Sequence, residues 1–392
     1  MKAISKQKRK PFNRRLSVLT LALMGATFSS GAAAKLGIGG ALTIVGQSVN
    51  EDFATNGAGV EDDPDNVLGN GTAIAYSFDL EMETELDSGI AFVYLVGAEG
   101  DAVYDGANAD AEGGDFADQL VGVAEAWYAH TFGDMFTITI GKIDAAGIYD
   151  ASEVANDPGE QFLADVFVNN PAIALPRYTP AMNFTLEFGE VVALNFGIFD
   201  DEPVTVVDPG TGEEVERKIG GEFQNLFVIG EIDFNYFILD NIGNLRLSFW
   251  SSQAAERNGF AINFDQAFVD ELFRIFMRFG FVGGIEEPAT VRFDADGFPI
   301  VEGAEIDFHW SSGLAFEFGD GHSVGAAVGI DSANNDDELE EIASQVWTEF
   351  YLQFELTPDV LLAGDLQIVS NPGFNAEEDA VVIPGFRLQV GF

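Results

Sequence analysis

The 392-residue chain contains no cysteine and no uninterrupted apolar run of 18 residues. The first absence excludes disulfide bonds, a thiolate nucleophile and cysteine metal sites. The second means that no transmembrane helix is predicted. Basic residues are also scarce, with 18 Lys and Arg against 65 Asp and Glu and a formal charge of −47. The three histidines, His130, His309 and His322, are not spaced as metal ligands, so we expect no metal site.

The acid excess limits the classes of partner. Nucleic acid is not expected as a partner, because phosphate contacts require clustered Lys and Arg. A strongly negative chain instead attracts cations over long range. Adaptation to a salty habitat or simple solubility would explain the same composition. No nucleophile-elbow motif is present, so we expect no enzyme activity and no cofactor, although a dispersed Ser–His or acid–His site leaves no local signature.

Residues 1–34 have the pattern of a secretory signal peptide. Seven basic residues and no acidic one precede Leu16, residues 16–28 are largely apolar, and small residues lead up to Ala34. This pattern predicts export and cleavage near Ala34. A retained N-terminal anchor is the alternative. Cleavage would take the formal charge from −47 to −54 and leave 11 basic residues against 65 acidic ones.

The remainder, residues 35–392, alternates apolar and polar side chains in segments of about ten residues, which is typical of a transmembrane β-barrel. Residues 74–83, 349–356 and 386–392 show the alternation clearly, and Phe dominates the apolar positions. The fold class expected is all-β, a closed antiparallel transmembrane β-barrel of about 16 strands in the outer membrane of a Gram-negative-type bacterium. Outer-membrane lipid would then contact the apolar face. A soluble β-sandwich also alternates in this way and is the alternative.

Residues 141–180 form a long insertion between two clear strands. Loops of this length without regular structure are uncommon unless they have a function. Asp157, Pro158 and Glu160 match the capping positions of a helix that would carry the apolar residues between 162 and 167. We interpret the insertion as a loop folded inward to constrict the barrel. A loop on the outer surface is the alternative.

Residues 122–176 contain several motifs in sequence. They are Glu125-Ala126-Trp127-Tyr128, Phe132-Gly133-Asp134, Gly141-Lys142-Ile143-Asp144, Gln161-Phe162-Leu163 and Phe167 to Pro176, the last with the specific Asn169-Asn170-Pro171 run. Two later stretches, 259–280 and 365–392, continue the pattern. Together these motifs resemble the carbohydrate-selective porin family of the OprB type.

The resemblance implies an outer-membrane porin that lets small sugars and other small polar solutes diffuse passively into the periplasm. It also implies a constriction formed by inward loops and charged wall residues, arginines among them. This chain is far more acidic, so a general cation-preferring porin is an alternative. A structural or adhesin barrel with a plugged lumen is a further alternative of a different class.

The candidate pore-lining residues come from the insertion and from the inward faces of strands. Arg274 and Arg278 lie four apart on one strand face, opposite apolar residues. Such arginines would donate hydrogen bonds to sugar hydroxyls, or would only neutralise lumen acids such as Glu187, Glu349 or Glu355. Trp347 and Tyr351 would stack on sugar rings or simply fill the lumen. The candidates are Lys142, Asp144, Asp150, Glu153, Gln161, Asn169, Asn170, Arg177, Arg246, Arg274, Arg278, Trp347, Glu349, Tyr351 and Arg387.

Overall fold

The structure is a computed structural model. It describes residues 36–49, 71–100, 102–104, 106–109, 121–201, 204–207, 214–217, 223, 225–238, 241–269, 272–285, 289–293, 299–302, 304–319, 321–335 and 339–392. The predicted signal peptide, residues 1–34, lies outside the described residues and stays a prediction.

Sixteen antiparallel strands form a closed barrel in which each strand pairs with its neighbours and the last pairs with the first. The closing pair joins Ala41 to Gly391 and Gln47 to Gly385. The strands are β1 (Leu36–Ser48), β2 (Thr72–Leu86), β3 (Gly89–Glu99), β4 (Gly122–Phe132), β5 (Phe136–Ile143), β6 (Thr179–Phe188), β7 (Val192–Asp200), β10 (Leu226–Ile238), β11 (Asn241–Ser252), β12 (Arg257–Phe268), β13 (Phe273–Gly283), β16 (Ile306–Phe318), β17 (His322–Ala333), β18 (Gln345–Thr357), β19 (Val360–Ser370) and β20 (Val381–Gly391).

Two short hairpins stand apart from the barrel. They are β8 (Val204–Val207) with β9 (Glu214–Arg217), and β14 (Thr290–Phe293) with β15 (Pro299–Glu302). Both hairpins belong to long connections at one end of the barrel, whereas short turns join the strands at the other end. This asymmetry is typical of bacterial outer-membrane barrels, in which the short turns are periplasmic.

Each wall strand presents an apolar outer face and a covered inner face. On β18, Phe350 and Leu352 are 48% and 41% exposed, whereas Glu349 and Tyr351 between them are 0% and 3% exposed. Exposed apolar side chains recur around the outside, as expected for a surface that meets lipid. The predicted fold class, a closed antiparallel barrel of 16 strands, is confirmed.

The largest buried apolar clusters lie on the inner face of the wall, between the strands and residues 102–109 and 144–178. One cluster joins Phe162 and Phe167 to Phe276, Trp347 and Tyr351. A closed sheet leaves no hydrophobic core of its own when the lumen is wide. The core of this protein is therefore the contact between wall and loops. Within the described ranges, no helix has the length and apolar character needed to cross a membrane.

Candidate functional site: the interior loop

The long insertion is shorter than the sequence indicated, because both of its ends belong to strands. β5 extends to Ile143 and β6 begins at Thr179, so the segment between them, residues 144–178, is called here the interior loop. It starts with a 3₁₀ turn over Ala145–Gly147. The carboxylate of Asp144 caps this turn by accepting a hydrogen bond from the amide of Ala146 at 3.0 Å. Asp144 therefore has a structural role at the start of the loop.

The predicted helix position was wrong. Residues 157–161 make a single turn, in which the Gln161 amide donates to the Asp157 carbonyl at 2.8 Å, and the helix α1 spans only Asp165–Val168. The wall competes for the backbone groups that a longer helix would use. Arg387 donates to the carbonyls of Pro158 and Gln161, which draws that turn toward β20.

Aromatic side chains attach the interior loop to the wall. Phe162 is fully buried, with its ring centroid 5.0 Å from that of Tyr351 and 5.6 Å from those of Phe276 and Phe167. Tyr351 and Phe276 project from the same face as the other buried wall residues. Burial of a Phe side chain contributes about 1.5–3 kcal/mol. These contacts lie on the face of the wall opposite to the exposed apolar side chains.

Two buried charges of the wall hold the same part of the loop through its backbone. Both carboxylate oxygens of Glu349 accept amide hydrogen bonds, from Leu163 at 2.6 Å and from Ala164 at 2.9 Å. Arg387 donates to the carbonyls of Pro158 and Gln161 on the preceding turn, the latter at 2.9 Å. A hydrogen bond from a charged group such as the Arg387 guanidinium contributes about 1.5–3 kcal/mol. This arrangement satisfies backbone groups that would otherwise be buried without partners.

A third buried charge, Arg278 of β13, reaches two distant parts of the loop. Its Nη1 donates to the carbonyl of Phe167, and its Nη2 donates to the carbonyl of Asp150 at 3.0 Å. Its Nε lies 2.8 Å from Asp150 Oδ2 in an ion pair whose two side chains are 0% and 3% exposed. Asp150 also donates its amide to Glu231 Oε2 at 2.9 Å. Three wall strands, β13, β18 and β20, thus contact the loop through Arg278, Glu349 and Arg387.

The predicted asparagines and glutamine stabilise the loop itself. Asn170 is buried and donates to the Phe279 carbonyl of β13 at 3.1 Å. Asn169 ends α1 and donates through its side chain to Asp165 Oδ1. Gln161 accepts from the amide of Asn156 at 2.7 Å and donates to the Glu153 carbonyl at 3.1 Å. Their amide side chains therefore satisfy backbone and loop groups.

Few of the predicted lining residues remain accessible. Arg246 is buried in an ion pair with Asp265 at 2.9 Å, and Trp347 is 2% exposed. By contrast, Glu153 is exposed and Arg177 is half-buried beside Asp165, with 3.5 Å between Nη2 and Oδ1. Arg274 is half-buried and pairs with Glu317 at 2.7 Å. Eight of the candidates are too buried to contact solute, contrary to the expectation from the sequence. They are Asp150, Asn170, Arg246, Arg278, Trp347, Glu349, Tyr351 and Arg387.

Lys142 lies on the other face of β5. It shares that face with Ile140, which is 52% exposed, whereas the next residue, Ile143, is 1% exposed on the inner face. Its ammonium donates to the carbonyl of Val123 at 2.6 Å. Strand alternation places Lys142 outward, so it is not part of the proposed lining.

A second interior segment, residues 102–104 and 106–109, was missed in the sequence analysis. The carbonyl of Ala107 accepts from Gln47 Nε2 at 2.8 Å and from Gln367 Nε2 at 2.9 Å, both on the wall. The amide of Ala109 donates to the Leu163 carbonyl at 2.9 Å, which joins this segment to the interior loop. Glycine and acid dominate the connection between β3 and β4, and only the apolar Val103 and Tyr104 hinted at a buried position.

Acidic side chains face one another beside the turn at residues 157–161. Glu160 interacts with Asp157 on the loop and with Glu355 on β18, and Glu81 of β2 interacts with Asp157. Burial raises the pKa of Glu160 to about 7; Asp157 and Glu355 add to the rise, and Arg387 opposes it. The guanidinium of Arg387 is already bonded to loop carbonyls. Acid therefore predominates on this side of the interior. Among the described residues, no group of three His, Asp or Glu side chains is arranged to hold a metal ion.

A closed barrel of 16 antiparallel strands with an apolar exterior has the architecture of the outer-membrane porins. Residues 70–236 match the family of carbohydrate-selective porins, OprB family. This match confirms the family resemblance seen in the sequence, and together with the barrel it indicates an outer-membrane channel.

Solved structures share the fold. The high-pH structure of Pseudomonas putida OprB is 13% identical, with a TM-score of 0.65 over 91% of this chain and 93% of that one. The outer-membrane channel DcaP of Acinetobacter baumannii is 12% identical, with a TM-score of 0.55 over 93% of this chain and 99% of that one. A triple mutant of Rhodopseudomonas blastica porin is also 12% identical, with a TM-score of 0.54 over 91% of this chain and all of that one.

One curated relative, an uncharacterised protein of Aquifex aeolicus (strain VF5), is 37% identical over 65 residues. That alignment covers 17% of this chain and 21% of the relative. The chain thus matches about a fifth of the length of this relative.

Proposed function

We propose that the protein allows passive diffusion of small polar solutes, preferentially carbohydrates, through a lumen that the interior loop narrows. The observation that carries this proposal is the attachment of the loop, through its own backbone, to the buried wall residues Arg278, Glu349 and Arg387. Neither an energy source nor a cofactor is needed for diffusion. The family match over residues 70–236 supports the preference for carbohydrates.

A lumen bounded by sixteen strands is too wide to be filled by wall side chains, and it leaves an aqueous channel. Discrimination between small solutes then depends on the diameter and lining groups of the narrowest part. We infer that the interior loop narrows the lumen, and the burial of Phe162 and Phe167 against wall residues supports this inference. The accessible polar residues Glu153, Arg177 and Arg274 remain as lining candidates.

Replacing residues 146–174 with a short Gly/Ser turn tests the constriction. The barrel should still fold, because its ladder of sixteen strands does not include these residues. Single-channel conductance should rise, and discrimination among sugars in liposome swelling should be lost. A matched control shortens residues 202–218, which include β8 and β9, two strands that pair with each other and not with the barrel. Wild-type conductance and sugar permeation in a folded loop variant would contradict the proposal.

A general cation-preferring porin is the second candidate, and the buried arginines favour it. Arg246, Arg278 and Arg387 are 7%, 0% and 2% exposed and are bonded to wall or loop groups, whereas Glu160 and Glu355 are only half-buried. An acid-lined aperture raises the local concentration of cations. Potassium-over-chloride selectivity without sugar-dependent block or swelling would favour this candidate. A barrel with no conductance at all would favour a plugged structural or adhesin role.

A further inference from the structure

We propose that Arg278 is a positioning residue that closes the interior loop on itself and fixes it to β13. The proposal rests on the proposed function in one respect, namely that this loop sets the aperture of the channel. It concerns a single side chain whose contacts join the beginning of the loop to its middle.

Arg278 bonds two places on the loop that are 17 residues apart, the carbonyl of Asp150 and the carbonyl of Phe167. A third contact, 3.4 Å from Nη2 to Asn156 Oδ1, lies between them. The guanidinium is fully buried, so water does not compete for these acceptors. The hydrogen bonds that Glu349 and Arg387 make to the interior loop, by comparison, all fall between residues 158 and 164. Among these three wall residues, Arg278 alone connects the beginning of the interior loop to its middle.

The chemistry of the site requires arginine. Its planar fork donates in several fixed directions at once, while a lysine ammonium is a compact charge on a flexible stem. Here one fork contacts two backbone carbonyls, an amide oxygen and the carboxylate of Asp150. Lysine would preserve the charge opposite Asp150 without spanning from Asp150 to Phe167. Arg278→Lys is therefore expected to keep the charge opposite Asp150 but to lose the hydrogen bonds that join Asp150 to Phe167.

The neighbouring part of β13 is shaped to receive the loop. The Phe279 carbonyl accepts from Asn170, and a Cβ added at Gly280 would lie 2.4 Å from Ala172 Cβ and 2.6 Å from Asn170 Oδ1. Glycine at this position permits the close approach of the loop. Asp150 has a φ of 54°, a left-handed conformation that is uncommon for a non-glycine residue. Arg278 holds this residue by its carbonyl and its carboxylate together.

The test compares Arg278→Met, Arg278→Lys and the control Arg274→Met. Arg274 lies on the same face of the same strand, four residues away, and pairs with Glu317 of the neighbouring strand β16. Hydrogen exchange of peptides covering residues 150–168 is measured in detergent, with strand peptides and the heat-dependent gel shift as measures of barrel integrity. Both Arg278 variants should exchange at least tenfold faster in this region, with strand peptides unchanged, and the control should match wild type.

Removing the charge of Arg278 leaves Asp150 buried without its partner, which can impair folding. The double variant Asp150→Asn with Arg278→Met removes both charges and should exchange as fast as Arg278→Met alone. Wild-type exchange over residues 150–168 in the folded double variant would overturn the proposal, as would full recovery by Arg278→Lys. Faster exchange with wild-type conductance would support the positioning role and count against the constriction. Faster exchange with increased conductance would support both.

Discussion

The aromatic contact at Phe162 gives the sharpest test of how the interior loop is held. Phe162 is fully buried against Phe276, Tyr351 and Phe167. Truncation of a buried Phe to Ala costs about 3–5 kcal/mol in protein interiors. Phe162 is not part of the strand ladder of the barrel. We therefore expect the substitution to weaken docking of the interior loop against the wall, and not folding of the barrel. A change of about 1.4 kcal/mol is tenfold in an equilibrium constant, so a cost of about 3–5 kcal/mol means that Phe162→Ala should increase the detached fraction roughly 100- to 4,000-fold.

Hydrogen exchange of the Leu163 and Ala164 amides reports this fraction, because Glu349 protects both of them only while the loop is docked. Exchange there should accelerate by the same factor. The matched control is Phe350→Ala, since Phe350 is 48% exposed on the outer face of β18, directly beside Tyr351. Unchanged exchange at Leu163 in Phe162→Ala would refute the reasoning. Equal acceleration in the wall strands would also refute it, because the cost would then fall on the barrel.

Two further predictions concern charge and processing. Because burial raises the pKa of Glu160 to about 7, its carboxylate is ionised at pH 8 and protonated at pH 6. Potassium-over-chloride selectivity, measured from reversal potentials, should therefore fall as the pH is lowered through 7. The change with pH should be smaller in Glu160→Gln. An equal change in that variant would exclude Glu160 as the cause of the pH dependence. The intact mass of the protein recovered from outer membranes should equal that of a chain beginning after Ala34. A mass that includes residues 1–34 would show that the predicted signal peptide is retained as an anchor.

The strand pattern could be predicted because alternation in a β-strand is a local property. Residues 350, 352 and 354 are apolar and exposed, and residues 349, 351 and 353 between them are buried, as the sequence indicated. The inward direction of Arg278 and Arg387 followed in the same way. Their roles did not, because the partners of Arg278 are loop groups at residues 150 and 167 that no local pattern connects to β13.

The loops were the part that local rules described least well. Asp157, Pro158 and Glu160 have the residue types of a helix start, yet the chain makes only one turn there, because Glu349 and Arg387 bind the backbone that would continue it. The inward course of residues 102–104 and 106–109 left still less trace, since two of its hydrogen bonds to the wall are accepted by the backbone carbonyl of Ala107. A backbone group is the same in every residue, so its partner cannot be inferred from residue type.

The closed barrel, its two faces and its class could all be inferred from the amino-acid sequence alone. These inferences used alternation, composition and family motifs, which are recognised from residues close together along the chain. Which polar side chains of the wall are buried in contacts with the loops depends instead on the three-dimensional arrangement. Arg246, Arg278, Glu349 and Arg387 are buried because strands and loops distant in sequence converge on them. Burial and pairing depend on which distant segments come together, so they cannot be predicted from the spacing of residues along one strand.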